Sequence, residues 1–208
     1  MDIVVLGAAG LTGRALVAQA LADGHRVRAF ARTPAKLGIT HARLDVVQGD
    51  ATDAAAVARA IAGQKAVLCA LGNASPLKRD PALVAAVDGL VQAMERSGPR
   101  RLIYLSFVGV GERAQLGPLL GLLAPLLLRS EIADHAAKES AIRQSTLDWT
   151  IVRPPKMTDG PRTGAYRHGV DIAASSIVPT ISRADVADFM LRQITERAYL
   201  RQVPAVMR

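Results

Sequence analysis

The stretch that decides the fold is Ile3-Val4-Val5-Leu6-Gly7-Ala8-Ala9-Gly10-Leu11-Thr12-Gly13. Its first four residues are apolar and mostly β-branched, which predicts a buried parallel strand. Apolar residues then recur at helical spacing from Leu11 to Ala22, so the glycines occupy a strand-to-helix turn. Gly7 can take a backbone angle denied to other residues, Gly10 permits close approach of a diphosphate, and Gly13 lets the helix press on the strand. Because the first amides of a helix are free, this turn predicts a nucleotide phosphate site.

The second predicted strand, Arg26 to Ala31, indicates which dinucleotide the site prefers. In NAD-binding sites an acidic residue near the end of this strand holds the ribose 2′-hydroxyl. No Asp or Glu occurs between Asp23 and Asp45, whereas Arg32 stands at the strand end and Lys36 follows it. A guanidinium pairs with a 2′-phosphate through two hydrogen bonds, and a lysine adds a point charge. The sequence therefore predicts NADPH; the alternative is that Arg32 is one more solvated arginine.

Composition limits the class of protein. The chain has 208 residues, of which 50% are hydrophobic, enough for one sizeable core, so we expect a single domain over residues 1–208. The single cysteine, Cys69, forms no intramolecular disulfide and is interpreted as a structural thiol. The net charge is +8, but the basic residues are scattered, and three Phe, three Tyr and one Trp provide no stacking platform. Nucleic-acid binding is therefore not expected.

The longest apolar stretch runs from Leu116 to Leu128 and contains two prolines and two glycines. It is too short to cross a bilayer, which needs about 20 residues. We favour a lid over the substrate; a dimer surface and a membrane-skimming segment are the alternatives. No charged leader precedes the first strand, so the sequence predicts a cytoplasmic protein without a membrane span, either a monomer or a homodimer.

The alternation of strands and helices continues after the second strand. Strands are predicted at 43–48, 65–71 and 101–106, and helices at 53–61 and 81–96. This order predicts an α/β fold, a Rossmann-like doubly wound parallel sheet with helices on both faces. Ligands of such sheets bind at the carboxyl ends of the strands. Five predicted strand ends carry polar or glycine residues there: Gly7 to Gly13, Arg32, Asp50, Gly72 and Ser106.

Beyond Ser106 the alternation loosens. A helix is predicted from Glu131 to Gln144, and a sixth strand at 149–153 ends at Pro154-Pro155. The last helix begins after Ser182, with Asp185 completing a variant of the capping box, and extends to about residue 195. Residues 157–178 are rich in Gly, Pro and Thr. We therefore expect residues 107–130 and 154–180 to form the substrate side.

Several of these motifs resemble one known group. They are Gly7-Ala-Ala-Gly-Leu-Thr-Gly13, Arg32, Gly49-Asp50, Leu71-Gly72, Leu105-Ser106, Asp148-Trp-Thr-Ile-Val-Arg-Pro-Pro155, Thr163-Gly-Ala-Tyr166 and Ser182-Arg-Ala-Asp-Val-Ala187. Together they resemble the atypical short-chain dehydrogenases with an NAD(P)H-binding NmrA-like domain. Within that group the chain is most similar to the biliverdin-IXβ reductase and flavin reductase branch.

The resemblance implies roles for individual residues. Gly10, Leu11, Thr12 and Gly13 would hold the diphosphate, and Arg32 the 2′-phosphate. Asp50 would contact the adenine, while Gly72 and Ser106 would hold the nicotinamide half. Of the two pocket histidines of that branch, His135 matches one, and Lys156 stands where the other would be. Biliverdin is therefore not assumed as the substrate.

The wider superfamily uses a Tyr and a Lys four residues apart, and this chain lacks that pair. Alcohol and ketone chemistry needs such a proton donor, whereas a flavin or quinone accepts a hydride with less help. Ser106 and His135 are the candidate catalytic residues. Ser106 can hydrogen-bond the nicotinamide amide or the substrate, and His135 can donate a proton because a histidine titrates near neutral pH. Lys156, Tyr166 and Arg153 are candidates for the substrate side. Lys138 and Glu139 are interpreted as a solvated pair on a helix.

The sequence therefore predicts an NADPH-dependent oxidoreductase acting on a flat, conjugated small molecule such as a flavin, a quinone or a tetrapyrrole-like pigment. The alternative is a nonenzymatic NADP-sensing regulator of the NmrA-like type, which the missing Tyr and Lys pair also fits. Epimerase chemistry on sugar nucleotides fits poorly, since it relies on the absent tyrosine. No spacing of Cys and His indicates a metal site.

Overall fold

The computed structural model describes residues 1–72, 78–110, 115–116, 121 and 128–208. Six strands form one parallel sheet, in the spatial order β3-β2-β1-β4-β5-β6. Their bounds are β1 Asp2–Leu6, β2 Arg26–Ala31, β3 Leu44–Gln48, β4 Ala66–Cys69, β5 Arg101–Leu105 and β6 Asp148–Val152. The chain leaves β1 toward one edge and returns to the other side of β1 with β4. This confirms the predicted doubly wound sheet and places a topological switch point between β1 and β4.

Within the residues that the structure describes, five helices cover the two faces of this sheet: α1 Leu11–Ala22, α2 Ala54–Ile61, α3 Pro81–Ser97, α4 Arg129–Gln144 and α5 Arg183–Arg192. Alternate residues of β1 face opposite ways. Ile3 and Val5 belong to the core formed with α1 and α5, whereas Val4 and Leu6 belong to the core formed with α2, α3 and α4. All four residues are fully buried, which explains why the strand is a continuous apolar run.

Side chains that accept hydrogen bonds from free amides begin three of the helices. Asp53 accepts from Ala55 N at 2.9 Å, and Asp80 accepts from Leu83 N at 3.0 Å. Ser182 Oγ accepts from the amide of Asp185 at 2.9 Å, as predicted for the last helix. That helix ends at Arg192, three residues before its predicted end.

The segment after β6 contains short strands that the sequence did not predict. β7 (Lys156–Thr158) pairs in parallel with β9 (Thr180–Ser182), and β8 (Arg167–Gly169) pairs in antiparallel fashion with β10 (Ala205–Met207). Strands of three residues are too short to produce a recognisable alternation, which is why periodicity missed them.

The predicted lid at 116–128 lies mostly outside the described residues. Of that segment, Leu116 is buried in a small cluster with Ala205 and Met207, against which Leu128 packs. Within the described part of the chain, no helix is long and apolar enough to cross a membrane.

Candidate functional site

The glycine turn lies between β1 and α1, with its backbone close to the end of β4. Gly7 has φ +77°, and a Cβ there would lie 2.6 Å from the carbonyl oxygen of Ala70. A Cβ on Gly13 would lie 2.1 Å from Gly7 O, so α1 packs directly on the turn. No side chain caps α1, which begins after Gly10. The turn is therefore a backbone cradle whose first helical amides face the switch point, a fitting site for a diphosphate.

A cavity of about 530 Å³ opens at the carboxyl ends of β1 to β4. Its lining contains six of the predicted cofactor residues, namely Gly7, Gly10, Arg32, Lys36, Asp50 and Gly72. The other lining residues are Ala9, Phe30, Ala31, Thr33, Gly49, Ala51, Thr52, Ala70, Leu71, Asp80, Ala82, Leu83 and Ala86. The remaining predicted cofactor residues of the turn, Leu11, Thr12 and Gly13, form the first turn of α1.

The sequence reasoning missed the contribution of α3 to this cavity. Asp80, which caps α3, and Leu83 and Ala86 in its first two turns all line the cavity wall. The sequence signal for this wall was an Asp-Pro pair, a typical helix start, placed shortly after the exit of β4.

Arg28 and Arg43, two of the cationic residues near the second strand, have structural roles. Arg28 Nε pairs with Asp45 at 2.8 Å, and its Nη1 donates to the carbonyl of Ala60 near the end of α2. Arg43 Nη2 donates to Leu21 O at the end of α1. Both guanidinium groups therefore cap helix carboxyl ends, where cations are favoured.

Arg32 and Lys36 line the cavity at the exit of β2, and both are exposed. Asp50, at the exit of β3, faces the same cavity. Its Oδ1 accepts hydrogen bonds from Thr52 N at 2.9 Å and Thr52 Oγ1 at 2.8 Å, which lower the pKa of the carboxyl, with a smaller contribution from Arg32. At the exit of β2 the cavity therefore has two cationic side chains, Arg32 and Lys36, in the region where an NAD-binding site has an acidic residue.

A second, buried cluster joins the exits of β5 and β6 to α4. Ser106 Oγ donates to Glu139 Oε1 at 2.7 Å and lies 3.3 Å from His135 Nδ1. Arg153 binds the same carboxylate at both oxygens, with Nε–Oε1 2.9 Å and Nη2–Oε2 2.6 Å. All four residues are buried. We call these residues the Ser106–Glu139 cluster.

The interpretation of Lys138 and Glu139 as a solvated pair is wrong. Glu139 is 2% exposed and Lys138 is 1% exposed. Helical spacing contained the signal, because Glu139 lies one turn after His135 and therefore shares its face. The charged sequence of α4 hid this, since ion pairs with residues distant in the chain are what permit a buried carboxylate.

His135 lies in the middle of α4, with its ring in an edge contact with Phe107 at a centroid distance of 5.3 Å. Burial is the main cause that lowers the pKa of His135 to about 3, and the nearby charge of Lys138 lowers it further. The imidazole is therefore neutral at physiological pH. The expectation of titration near neutral pH is corrected: in this state His135 offers a neutral ring rather than an acid.

The three candidates for the substrate side have different surroundings. Arg153 belongs to the Ser106–Glu139 cluster. Tyr166 donates its hydroxyl to the buried Asp188 at 2.5 Å and is not among the described residues that line the cavity. Lys156 is exposed in β7 directly after the Pro-Pro turn. Only Lys156 therefore presents an exposed charged group.

The Thr163-Gly-Ala-Tyr166 motif is bound by the start of α5. Asp185 accepts hydrogen bonds from Thr163 N at 2.6 Å and from Gly164 N at 2.9 Å. These bonds join the two motifs, because the carboxylate of Asp185 satisfies the backbone amides of Thr163 and Gly164. They also explain why Asp185 does not complete the predicted capping box.

Metal and thiol chemistry find little support in the described part of the chain, where no group of three or more His, Cys, Asp or Glu residues is arranged to hold a metal ion. Cys69 is fully buried, and burial raises the pKa of its thiol to about 11. The thiol is therefore neutral, as expected for a structural cysteine.

A profile of the NAD(P)H-binding family matches residues 7–197, which is most of the chain. The chain belongs to this family. The match begins at the first glycine of the turn, directly after β1, and extends past α5, so it includes the cradle and strands β2 to β6 of the sheet.

One curated relative is the (4-alkanoyl-5-oxo-2,5-dihydrofuran-3-yl)methyl phosphate reductase of Streptomyces griseus. It is 35% identical over 152 residues, which are 73% of this chain and 46% of that protein. The chain therefore spans less than half the length of that relative.

Solved structures with the same fold include the oxidoreductase YlbE from Lactococcus lactis, with a TM-score of 0.81 and 19% identity, covering 99% of this chain and 90% of that one. A short-chain dehydrogenase/reductase from Veillonella parvula in complex with NADP has a TM-score of 0.78 and 20% identity, covering 99% and 93% of the two chains. At these identities the likeness establishes the fold.

Proposed function

We propose that this protein is an NADPH-dependent oxidoreductase whose acceptor is a flat, conjugated molecule such as a flavin, a quinone or a tetrapyrrole-like pigment. The observation that carries the proposal is the cavity with a glycine cradle at one wall and two exposed cations, Arg32 and Lys36, at another. This pairing fits a dinucleotide that carries a third phosphate.

The cofactor residues divide between two regions. The amides of Leu11, Thr12 and Gly13, after Gly10, hold the diphosphate, and Arg32 and Lys36 bind the 2′-phosphate. Towards the adenine the wall is formed by Asp50, and towards the nicotinamide by Gly72 and Ser106.

The bound cofactor would supply the hydride, and the residues around it position the acceptor. Ser106 is engaged with Glu139, Arg153 is engaged with the same carboxylate, and His135 is neutral. Such a site does not offer the strong acid that a developing alkoxide needs. A conjugated acceptor spreads the negative charge over its rings, so stacking and orientation are sufficient.

The name of the Streptomyces relative supports this acceptor class, since it describes an unsaturated oxo-ring as the molecule reduced. In the proposed arrangement one domain carries both functions, with residues 107–130 and 154–180 around the acceptor. Lys156 faces the acceptor, while Arg153 and Tyr166 support that side through Glu139 and Asp188.

The test is NADPH binding followed by turnover. Purified protein is titrated with NADPH and NADH, and oxidation of bound NADPH is then followed with FMN, riboflavin, 1,4-naphthoquinone and biliverdin. Reduction of at least one acceptor supports the proposal. Tight NADPH binding with no turnover across the panel indicates the NADP-sensing regulator instead, and absence of binding refutes both.

A further inference from the structure

The start of α3 contributes one wall of the cavity. Asp80 caps this helix, and Asp80, Leu83 and Ala86 all line the cavity. Arg32 and Asp50, which the proposed function assigns to the adenosine half of the cofactor, line the same cavity. The position of α3 therefore sets how much room this half of the cofactor has. A residue that fixes the start of α3 acts on cofactor binding without contacting the cofactor.

Asp134, on α4, binds the chain where α3 begins. Its Oδ2 accepts a hydrogen bond from the backbone amide of Asp80 at 2.6 Å, and its Oδ1 pairs with the guanidinium of Arg79. Asp134 is 3% exposed, whereas the side chain of Arg79 is 55% exposed. Water and salt weaken an exposed ion pair, so the hydrogen bond to Asp80 N is the stronger of the two links.

The amide of Asp80 depends on Asp134 because the helix itself offers it no partner. Asp80 stands just before the first helical residue, and its own side chain accepts from Leu83 N at 3.0 Å. In a capping box, the side chain at the position of Leu83 would accept a hydrogen bond from the amide of the cap residue. Leucine has no acceptor atom in its side chain. The carboxylate of Asp134 therefore takes the place of that missing acceptor, and it does so from a different helix.

Helix α4 holds Asp134 in a fixed position relative to the sheet. Glu139, on the same helix, binds Arg153 at the exit of β6 and Ser106 at the exit of β5. These contacts fasten α4 to two strands that end on the same side of the sheet. Asp134 is therefore a rigidly mounted acceptor, and the start of α3 is attached to it.

We infer that Asp134 is a positioning residue for the cofactor, because its bond to Asp80 N holds the start of α3 where the cavity fits the adenosine half. The inference rests on the proposed function, which places that half of NADPH in this cavity. Without the bond, a smaller fraction of molecules has the wall in the binding position. The apparent dissociation constant rises in proportion to that loss.

The experiment compares Asp134→Ala with a variant that loosens the other end of the same two helices. Glu95, near the end of α3, accepts a hydrogen bond at 2.7 Å from the amide of Thr146, two residues after α4. Glu95→Ala is the matched control, because it removes the same kind of carboxylate-to-amide bond away from the cavity. Calorimetry gives the dissociation constants of NADP⁺ and of 2′,5′-ADP, which contains the adenosine half without the nicotinamide.

Asp134→Ala is expected to weaken the binding of NADP⁺ and of 2′,5′-ADP by the same factor, about tenfold, whereas Glu95→Ala stays within about twofold of the wild type. Asp134→Asn keeps an oxygen that can accept from Asp80 N, so it is expected to retain most of the affinity. Amide hydrogen exchange without nucleotide should become faster at residues 80–86 in Asp134→Ala and should stay unchanged there in Glu95→Ala.

The inference is overturned by wild-type affinity in Asp134→Ala, by an equal loss of affinity in Glu95→Ala, or by unchanged exchange at residues 80–86 in Asp134→Ala. Equally weak binding by Asp134→Asn and Asp134→Ala would also contradict it, since the charge rather than the bond to Asp80 N would then be responsible. Failure of the proposed function is seen separately, as a wild type that binds neither NADP⁺ nor 2′,5′-ADP. The exchange measurement still decides in that case whether Asp134 fixes the start of α3.

Discussion

Ser106 Oγ donates a hydrogen bond to Glu139 Oε1 over 2.7 Å, joining the exit of β5 to the middle of α4. The same carboxylate binds Arg153 at the exit of β6. Because these residues are buried, water screens the charges little. One carboxylate thus fixes two strand exits relative to the helix that carries His135 and Lys138.

Substitution of Arg153 should show how much the buried ion pair with Glu139 contributes to the free energy of unfolding. Arg153→Met is expected to lower the free energy of unfolding by about 3 kcal/mol, because it leaves Glu139 buried without its two-pronged partner. Arg143 contacts the same carboxylate at 3.4 Å but its side chain is 46% exposed, so Arg143→Met should cost less than about 1 kcal/mol. Urea denaturation of both variants measures the difference; equal losses would contradict the ranking.

Arg32 should decide the choice between NADPH and NADH. Arg32→Gln removes the guanidinium at the exit of β2 and is expected to weaken NADPH binding at least about tenfold, while the affinity for NADH changes little. Arg26→Gln is the control, because Arg26 is exposed at the opposite end of the same strand. Isothermal titration of the three proteins with NADPH and with NADH provides the six affinities. A wild type that binds NADPH and NADH equally would remove the role assigned to Arg32.

Two glycines should respond in opposite ways to the same substitution. Gly13→Ala is expected to destabilise the fold by about 2 kcal/mol and to abolish NADPH binding, since its Cβ would meet Gly7 O at 2.1 Å. Gly89 lies within α3, where an added Cβ meets no atom within 4 Å, and Gly89→Ala should stabilise by about 0.5–1 kcal/mol. Thermal unfolding with and without NADPH checks both; binding by Gly13→Ala would contradict the close-packed cradle.

The sequence was sufficient to predict the parts of the site that depend on local pattern. A strand followed by the glycine turn predicts the cradle. An arginine at the end of the second strand, with no acidic residue nearby, predicts the cationic wall. Local pattern could not predict that Glu139 and Lys138 are buried. The burial of Glu139 depends on Ser106 and Arg153, which come from strands on either side of α4 in the sequence, and burial of charge is decided by such partners rather than by periodicity.

The low pKa of His135 should make the protein lose stability in mild acid. The folded-state pKa, about 3, lies below the unfolded value of 6.5, so the unfolded chain binds more protons between these pH values. Stability from this group is therefore complete above pH 6.5 and is lost as the pH falls. From pH 7 to pH 5 the loss attributable to His135 is about 2 kcal/mol.

Urea denaturation of wild type and His135→Gln at the two pH values isolates this contribution, because other groups titrate alike in both. The variant should lose less stability on acidification than the wild type. His41→Gln, at an exposed position, is the control and should behave as the wild type. An equal loss in wild type and His135→Gln would contradict the lowered pKa of His135, because it would show that the folded protein binds a proton at this ring between pH 7 and pH 5 as the unfolded chain does.

Tyr166 should stabilise the fold through its hydrogen bond to Asp188 in α5, without contacting the acceptor. Its hydroxyl donates to the buried Asp188 at 2.5 Å, so Tyr166→Phe is expected to cost about 1.5 kcal/mol, the value of a hydrogen bond to a charged group. Tyr199 provides the comparison, because its hydroxyl lies 2.7 Å from the exposed His168 and Tyr199→Phe should cost less than about 1 kcal/mol. KM for the acceptor should stay unchanged in Tyr166→Phe. A raised KM without loss of stability would instead make Tyr166 a direct contact of the acceptor, because removal of a structural tie acts on the fold first.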